Sequence, residues 1–324
     1  MGSRDEWPHV PVLLAEVLDA LQPAALRAQG PLPLGGRYVD GTVGGGGHAE
    51  AILERSSPDG RLLGLDVDPR ALDVARTRLA RFGSRAVLVR ANFALLDHLA
   101  GEHGFRDCDG VLLDLGLSSI QLADVGRGFS FRAEGPLDMR ADPDLEMRAS
   151  DIVNGSNERE LRRIFAEYGE EPEAARIAGA IARRRVTRPF ETAADLGRFV
   201  AGVKKARRGD VDPSTRVFQG LRIAVNHELE NLEKGLAAAI SILRPAGRLA
   251  VISFHSLEDR VVKSFMTRES KDCICPPHLP TCVCGHRAVL RVVARRPLRA
   301  DAAEVARNPR ARSARLRVAE RLPA

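Results

Sequence analysis

The residues with the most chemistry to offer stand at regular intervals in the first third of the chain. Asp40-Gly41-Thr42-Val43-Gly44-Gly45-Gly46-Gly47-His48 sets four successive glycines between a strand-like Arg37–Asp40 and a helical Ala49–Leu53. A turn without Cβ atoms lets a ligand lie directly on the backbone, and the helix start beyond it presents free N–H groups. The spacing is not the GxGxxG of dinucleotide-binding proteins. Asp66 closes the next apolar run, Arg61–Asp66, about 20 residues on, where a carboxylate can hydrogen-bond ribose hydroxyls. Ala91-Asn92-Phe93 ends a third run and offers an aromatic face for adenine. A fourth run, Gly110–Asp114, leads into Leu115-Gly116-Leu117-Ser118-Ser119-Ile120-Gln121, a loop dense in acceptors. Glycines and acids at successive strand ends point to a nucleoside-containing cofactor.

These positions require a parallel sheet. Short continuous apolar runs separated by amphipathic helical stretches describe strands covered on both faces, as in a doubly wound α/β domain. The next such run, Gly247–Ser253, arrives only after an interval far longer than an ordinary βα connection. The interval reads as helical. Asn157 with Glu160, Pro172, and Thr192 with Asp195 each open a segment of helical period, so an all-helical domain is expected inside the α/β domain. A long helix from about Ser214 to Leu243 is expected to return the chain to the sheet. The expected division is residues 1–125, an inserted helical substrate-recognition domain at 126–213, and 214–324. Segments near Val289–Ala294 and Arg315–Glu320 alternate as strands of a final antiparallel hairpin, which a nicotinamide-dependent dehydrogenase would lack.

Five cysteines divide unevenly. Cys108 precedes the fourth strand, whereas Cys273, Cys275, Cys282 and Cys284 fall within twelve residues, with His278 between the pairs. Two CxC pairs could close around a soft metal, stay free, or form a disulfide, and the spacing alone leaves all three open. Spread-out disulfides are absent from the pattern, which favours a reducing, cytoplasmic setting.

With 44% hydrophobic and 28% charged residues among 324, the chain is ordinary for a folded protein of about two domains. No apolar run approaches the roughly 18 residues of a membrane span, and Met1–Glu6 is too polar for a secretion signal. The net charge is +6, and it is concentrated. Between Arg287 and Arg321 stand eleven arginines against Asp301, Glu304 and Glu320, with smaller clusters at Arg183-Arg184-Arg185 and Lys204-Lys205-Ala206-Arg207-Arg208. Clustered arginine suits a polyanion such as RNA, or else a solvated face.

Five long strings together resemble one family, the bacterial 16S rRNA cytosine-N4 methyltransferases (the RsmH or MraW family). They are Asp40–His48, Leu113–Ser119, Arg127-Gly128-Phe129-Ser130-Phe131, Gly135–Arg140 and Ser253-Phe254-His255-Ser256-Leu257-Glu258-Asp259-Arg260. The likeness runs from about His9 to Arg321, through Thr215–Gln219 and Asn308–Ser313, and departs slightly at Gly45, where many members carry a bulkier residue. The resemblance implies a Rossmann-like methyltransferase sheet, S-adenosyl-L-methionine as cofactor, and a decoding-centre cytidine (rRNA position 1402) of the small ribosomal subunit as target. It also implies cofactor contacts at Gly46, Gly47, His48, Asp66, Phe93, Asp114 and Gln121. Carbon-5 methylation would need a cysteine nucleophile at a strand's carboxyl end, and none stands there. Transfer to an exocyclic amine needs alignment and acceptors, which Asp114, Ser118, Ser119 and His255 could supply. Phe129 and Phe131 could stack on or wedge behind a base turned out of the RNA, or else pack within their own loop. Monomer and dimer both remain open.

Overall fold

Seven strands build one sheet: β1 (Arg37–Asp40), β2 (Arg61–Asp66), β3 (Ala86–Arg90), β4 (Cys108–Asp114), β5 (Leu243–Ser253), β6 (Leu290–Val292) and β7 (Arg315–Arg321). This computed structural model describes residues 11–22, 36–204, 212–276, 279 and 281–323. His278 and residues 205–208 of the second basic cluster lie outside them. Two units are separable, Met1–Gly116 with Leu229–Ala324, and Leu117–Glu228.

In the first unit the strand order is β3-β2-β1-β4-β5-β7-β6, with β1 to β5 parallel and β7 antiparallel to both β5 and β6. The expected terminal hairpin is therefore real, but its second strand slots between β5 and β6. Alternation sends Val39, Leu63, Leu65, Val111, Leu113, Leu249 and Val251 to one face, where they meet Leu232, Leu236 and Phe265. Tyr38, Leu62, Leu112, Ala250 and Ile252 go to the other face with Ile52, Leu72 and Leu316. Burial on both faces is what continuous apolar strands demand. Register is also set by charge. Arg248 and Glu320 are buried partners across β5 and β7, 2.8 Å apart, and Arg291 on β6 also pairs with Glu320. Such a pair contributes little net stability but leaves a costly bare charge if one partner is lost, so it penalises a slipped register.

The crossovers after β2 and β3 are capped locally. Asp68 caps the helix Pro69–Leu79 by accepting from Arg70 N, with Pro69 at the first position where its missing N–H costs nothing. Asn92 accepts from Ala94 N after β3. Among the described residues, no helix is long and apolar enough to cross a membrane.

The second unit is helical and wider than the expected 126–213. Its core joins Leu161, Phe165, Ile177, Ile181, Leu196 and Val200 with Val217, Phe218, Leu221 and Val225 from Thr215–Asn226. The single long helix expected from Ser214 is in fact two, Thr215–Asn226 and Glu228–Ile242, divided at His227, whose φ is 50°. The first packs into the helical unit and the second against the sheet, each within its own core. Asn157 and Thr192 cap their helices as predicted. Of the Arg183–Arg185 cluster, Arg184 makes a two-pronged bond to Asp195 and lies 3.9 Å over Phe190, while Arg185 donates to Val153 O. Lys204 pairs with buried Glu171 at 2.7 Å. Arg184, Arg185 and Lys204 thus hold the unit together, whereas Arg183 is exposed and the rest of the second cluster lies outside the described residues.

Candidate active site

The carboxyl ends of β1, β2 and β4 place three acids side by side. Asp40 is fully buried, and its Oδ1 accepts from Thr42 N at 3.1 Å and from the Thr42 hydroxyl at 3.4 Å. The same hydroxyl oxygen accepts from Asp114 N at 2.6 Å. Thr42 therefore ties the β1 end to the β4 end and fixes the backbone from which Asp114 projects. Sequence reading passed over Thr42 and Asp40, although their position before the glycines was the available signal.

Asp66 is fixed just as firmly. Its Oδ2 accepts from Gly44 N at 2.9 Å and its Oδ1 from Asp68 N at 2.9 Å. With the Val67 N–H also facing the carboxylate, these bonds still leave it capacity to accept from a further donor. The glycine turn follows: Gly46 has φ 81°, a left-handed conformation that side-chain-bearing residues resist. It leads into the helix Gly47–Arg55. His48, in the first turn, is buried, with Nε2 2.9 Å from Val12 O and Nδ1 3.5 Å from Asp114 Oδ2. Phe93 follows β3, and its ring lies so close to Gly235 that a Cβ there would sit 2.3 Å from it. The six predicted residues of this unit thus gather at one sheet edge.

The second oxygen of Asp114, Oδ1, is buried with no hydrogen-bond partner among the described residues. A carboxylate oxygen without a donor in a dry place is expensive unless a ligand completes it. Burial, with Asp40 and Glu258 as neighbouring negative groups, holds Asp114 well above the usual carboxylate range. Burial likewise pushes Asp40 up to about 7 and Asp66 to about 6. These elevated acids hold protons more tightly folded than unfolded, so stability falls as pH rises through 6 and 7. Without cofactor, the protein is expected to be about 1 kcal/mol more stable at pH 6 than at pH 8, read by urea unfolding. Greater stability at pH 8 would refute the elevated acids.

The remaining predicted residues have defined local roles. In the helical unit, Ser118 Oγ accepts from Gln121 N at 3.2 Å and Gln121 Oε1 accepts from Ser118 N at 3.0 Å, a reciprocal cap of the short helix Ser119–Ala123. Ser119 is the first residue of that helix. In the sheet unit, His255 caps the helix Ser256–Glu269. Its Nδ1 accepts from Glu258 N at 3.4 Å and its Nε2 faces Glu258 Oε1 at 3.0 Å. His255 thus has a structural part in this cap.

Phe129 is a correction. It is buried in the core of the helical unit with Leu137, Met139 and Ile152, so it cannot stack on a base. Phe131 is half-buried, edge-on to Phe218 with centroids 5.8 Å apart. Phe129→Ala is expected to cost about 3 kcal/mol of stability, measured by denaturant unfolding. A change near zero would contradict the packing.

Proteins named "Ribosomal RNA small subunit methyltransferase H" align along nearly the whole chain. The one from Thermomicrobium roseum is 52% identical over 97% of this chain and 94% of its own length. That of Geobacter sulfurreducens is 51% identical over 98% and 99%, and that of Heliobacterium mobile 48% over 98% and 100%. The family model described as the MraW methylase family matches residues 6–322, and the chain belongs to that family.

Proposed function

We propose that the protein transfers a methyl group from S-adenosyl-L-methionine to the exocyclic N4 amine of a decoding-centre cytidine, rRNA position 1402, in 16S rRNA. Membership of a methylase family supports the reaction class, and the names of the relatives support the ribosomal RNA substrate. The observation that carries the chemistry is Asp114, whose buried Oδ1 lacks a donor at the strand edge where the glycine turn and Asp66 also stand.

When bound, S-adenosyl-L-methionine supplies an electrophilic methyl on a sulfonium. Gly46 and Gly47 would admit it against the backbone, Asp66 would accept from its ribose hydroxyls, and Phe93 would flank its adenine. His48, Asp114 and Gln121 complete the proposed set. Their fit rests on the spare accepting capacity of Asp66, the orphaned Asp114 oxygen and a turn in which Gly46 has φ 81°.

A cytosine amine is a poor nucleophile because its lone pair is drawn into the ring. An acceptor on one amine hydrogen returns electron density to nitrogen and fixes its direction. Asp114 Oδ1 is the acceptor assigned here, with Thr42 and His48 holding it in place. Covalent catalysis at carbon 5 has no cysteine to use, since Cys108 begins β4 at the opposite end and is buried. Ser118 and Ser119 act by shaping the loop that follows β4.

The helical unit, inserted in sequence directly after that loop, serves as the substrate-recognition domain. Phosphate contacts come from the carboxyl-terminal stretch, where Arg295, Arg296, Arg299, Arg307 and Arg312 are exposed. Within the same stretch Arg315 and Arg317 are held by Asp259 and serve the fold. The test is transfer of labelled methyl to small ribosomal subunits lacking the modification. Label in the RNA supports the reading, and cofactor binding without label in any ribosomal RNA would refute it.

A further inference from the structure

The segment between the helix Ser256–Glu269 and β6 lacks the means to order itself. Its described residues form no helix or strand, and its apolar side chains, Ile274 at 45% and Val283 at 78% exposure, contribute little core. Its ends are held: Val289 N donates to Glu269 O at 2.8 Å, and Ala288 N to Asp272 Oδ1 at 3.2 Å. What lies between is organised around sulfur. A loop of this length without secondary structure needs some other source of order.

Four sulfurs converge there. Cys273, Cys275, Cys282 and Cys284 have all their Sγ atoms within 4.8 Å of one another. Cys282 and Cys284 stand 3.6 Å apart, Cys284 and Cys273 3.9 Å. Tetrahedral zinc with bonds of about 2.3 Å to sulfur has sulfurs separated by about 3.8 Å. The backbone is arranged to match. Ile274, between the first two cysteines, donates its N–H to Cys284 Sγ at 3.4 Å. Val283, between the second two, donates its N–H to Cys275 Sγ at 3.4 Å. Each CxC pair thus braces a sulfur of the other, in a nearly two-fold exchange. N–H donors favour thiolate over thiol, which is the form that binds metal. All four cysteines are free and none is deeply buried, and the sulfur separations of 3.6 and 3.9 Å are far longer than a disulfide bond.

We propose that Cys273, Cys275, Cys282 and Cys284 bind one zinc ion as a tetrahedral tetrathiolate that clasps this segment beside β6. Each thiol releases its proton to water as its sulfur–zinc bond forms, with no change of oxidation state. Nothing in the methyl-transfer reading depends on this site, which belongs to a surface segment outside both cores of the sheet unit.

The experiment uses the full chain purified under reducing conditions, stripped with a chelator and reloaded with zinc alone or cobalt alone. The expected result is one zinc per chain, and with cobalt the intense visible bands of a tetrahedral thiolate complex. The double variant Cys275→Ser with Cys284→Ser is expected to lose the metal while keeping the wild-type circular dichroism. Cys108→Ala, at a buried position remote in sequence, is expected to retain it. A second readout covers misfolding: zinc should slow modification of the four cluster thiols in the wild-type chain by at least about tenfold. Zinc content near zero after reloading, an octahedral cobalt spectrum, or thiol reactivity unchanged by zinc would each overturn the proposal. So would a disulfide among the four in reduced preparations.

Discussion

Asp66→Ala is expected to weaken S-adenosyl-L-methionine binding by about 100-fold or more, measured by isothermal titration calorimetry. A hydrogen bond to a charged acceptor contributes roughly 1.5–3 kcal/mol, two ribose hydroxyls are available, and about 1.4 kcal/mol is a factor of ten. Asp66 is prepared for this role because Gly44 N and Asp68 N already fix both its oxygens. The same bonds give it a structural part, which Asp66→Asn separates: the amide keeps one acceptor oxygen and loses the charge, so an intermediate affinity is expected. Protonation acts like the substitution. With Asp66 pushed up to about 6, affinity should decline as pH falls through that value. Wild-type affinity in Asp66→Ala would show that the cofactor pocket is placed wrongly.

Asp114→Asn is expected to reduce methyl transfer by about 1000-fold, within the range lost when a positioned polar group is removed from an active site. The unliganded chain should be no less stable, and more stable at pH 8. Asp114 is held well above the usual carboxylate range because its burial near Asp40 and Glu258 is unfavourable to the charge. An uncharged isostere removes that cost. Loss of turnover together with gained stability is the mark of a group kept for chemistry. Near-normal turnover in Asp114→Asn would remove it from the mechanism, and a large loss of stability would make it a structural acid.

The sheet and its edge were legible in the sequence because strand ends announce themselves. Arg61–Asp66 and Gly110–Asp114 are apolar runs closed by an acid, and β2 ends and β4 ends at those acids. The division at His227 was not legible. Val217 and Leu221 on one side, Leu232 and Leu236 on the other, continue a helical pattern with no proline or glycine at the break. Only the left-handed backbone of His227 separates two helices that serve different cores. Phe129 failed for a related reason, since an aromatic in a glycine-flanked loop looks available until long-range packing buries it. Arg184 looked like surface charge because its partner Asp195 stands on the next helix. The cysteines were visible as candidates. Their convergence depends on backbone N–H groups crossing between the pairs, which spacing does not encode.

Nucleoside analysis of methylated RNA tests the central claim most directly. Small ribosomal subunits lacking the modification would be incubated with the protein and isotopically labelled S-adenosyl-L-methionine, then digested and resolved by mass spectrometry. The account predicts N4-methylcytidine, mapped to one decoding-centre position, and its absence with Asp114→Asn at matched cofactor occupancy. Label recovered as 5-methylcytidine, or in a base other than cytosine, would contradict direct transfer to the exocyclic amine.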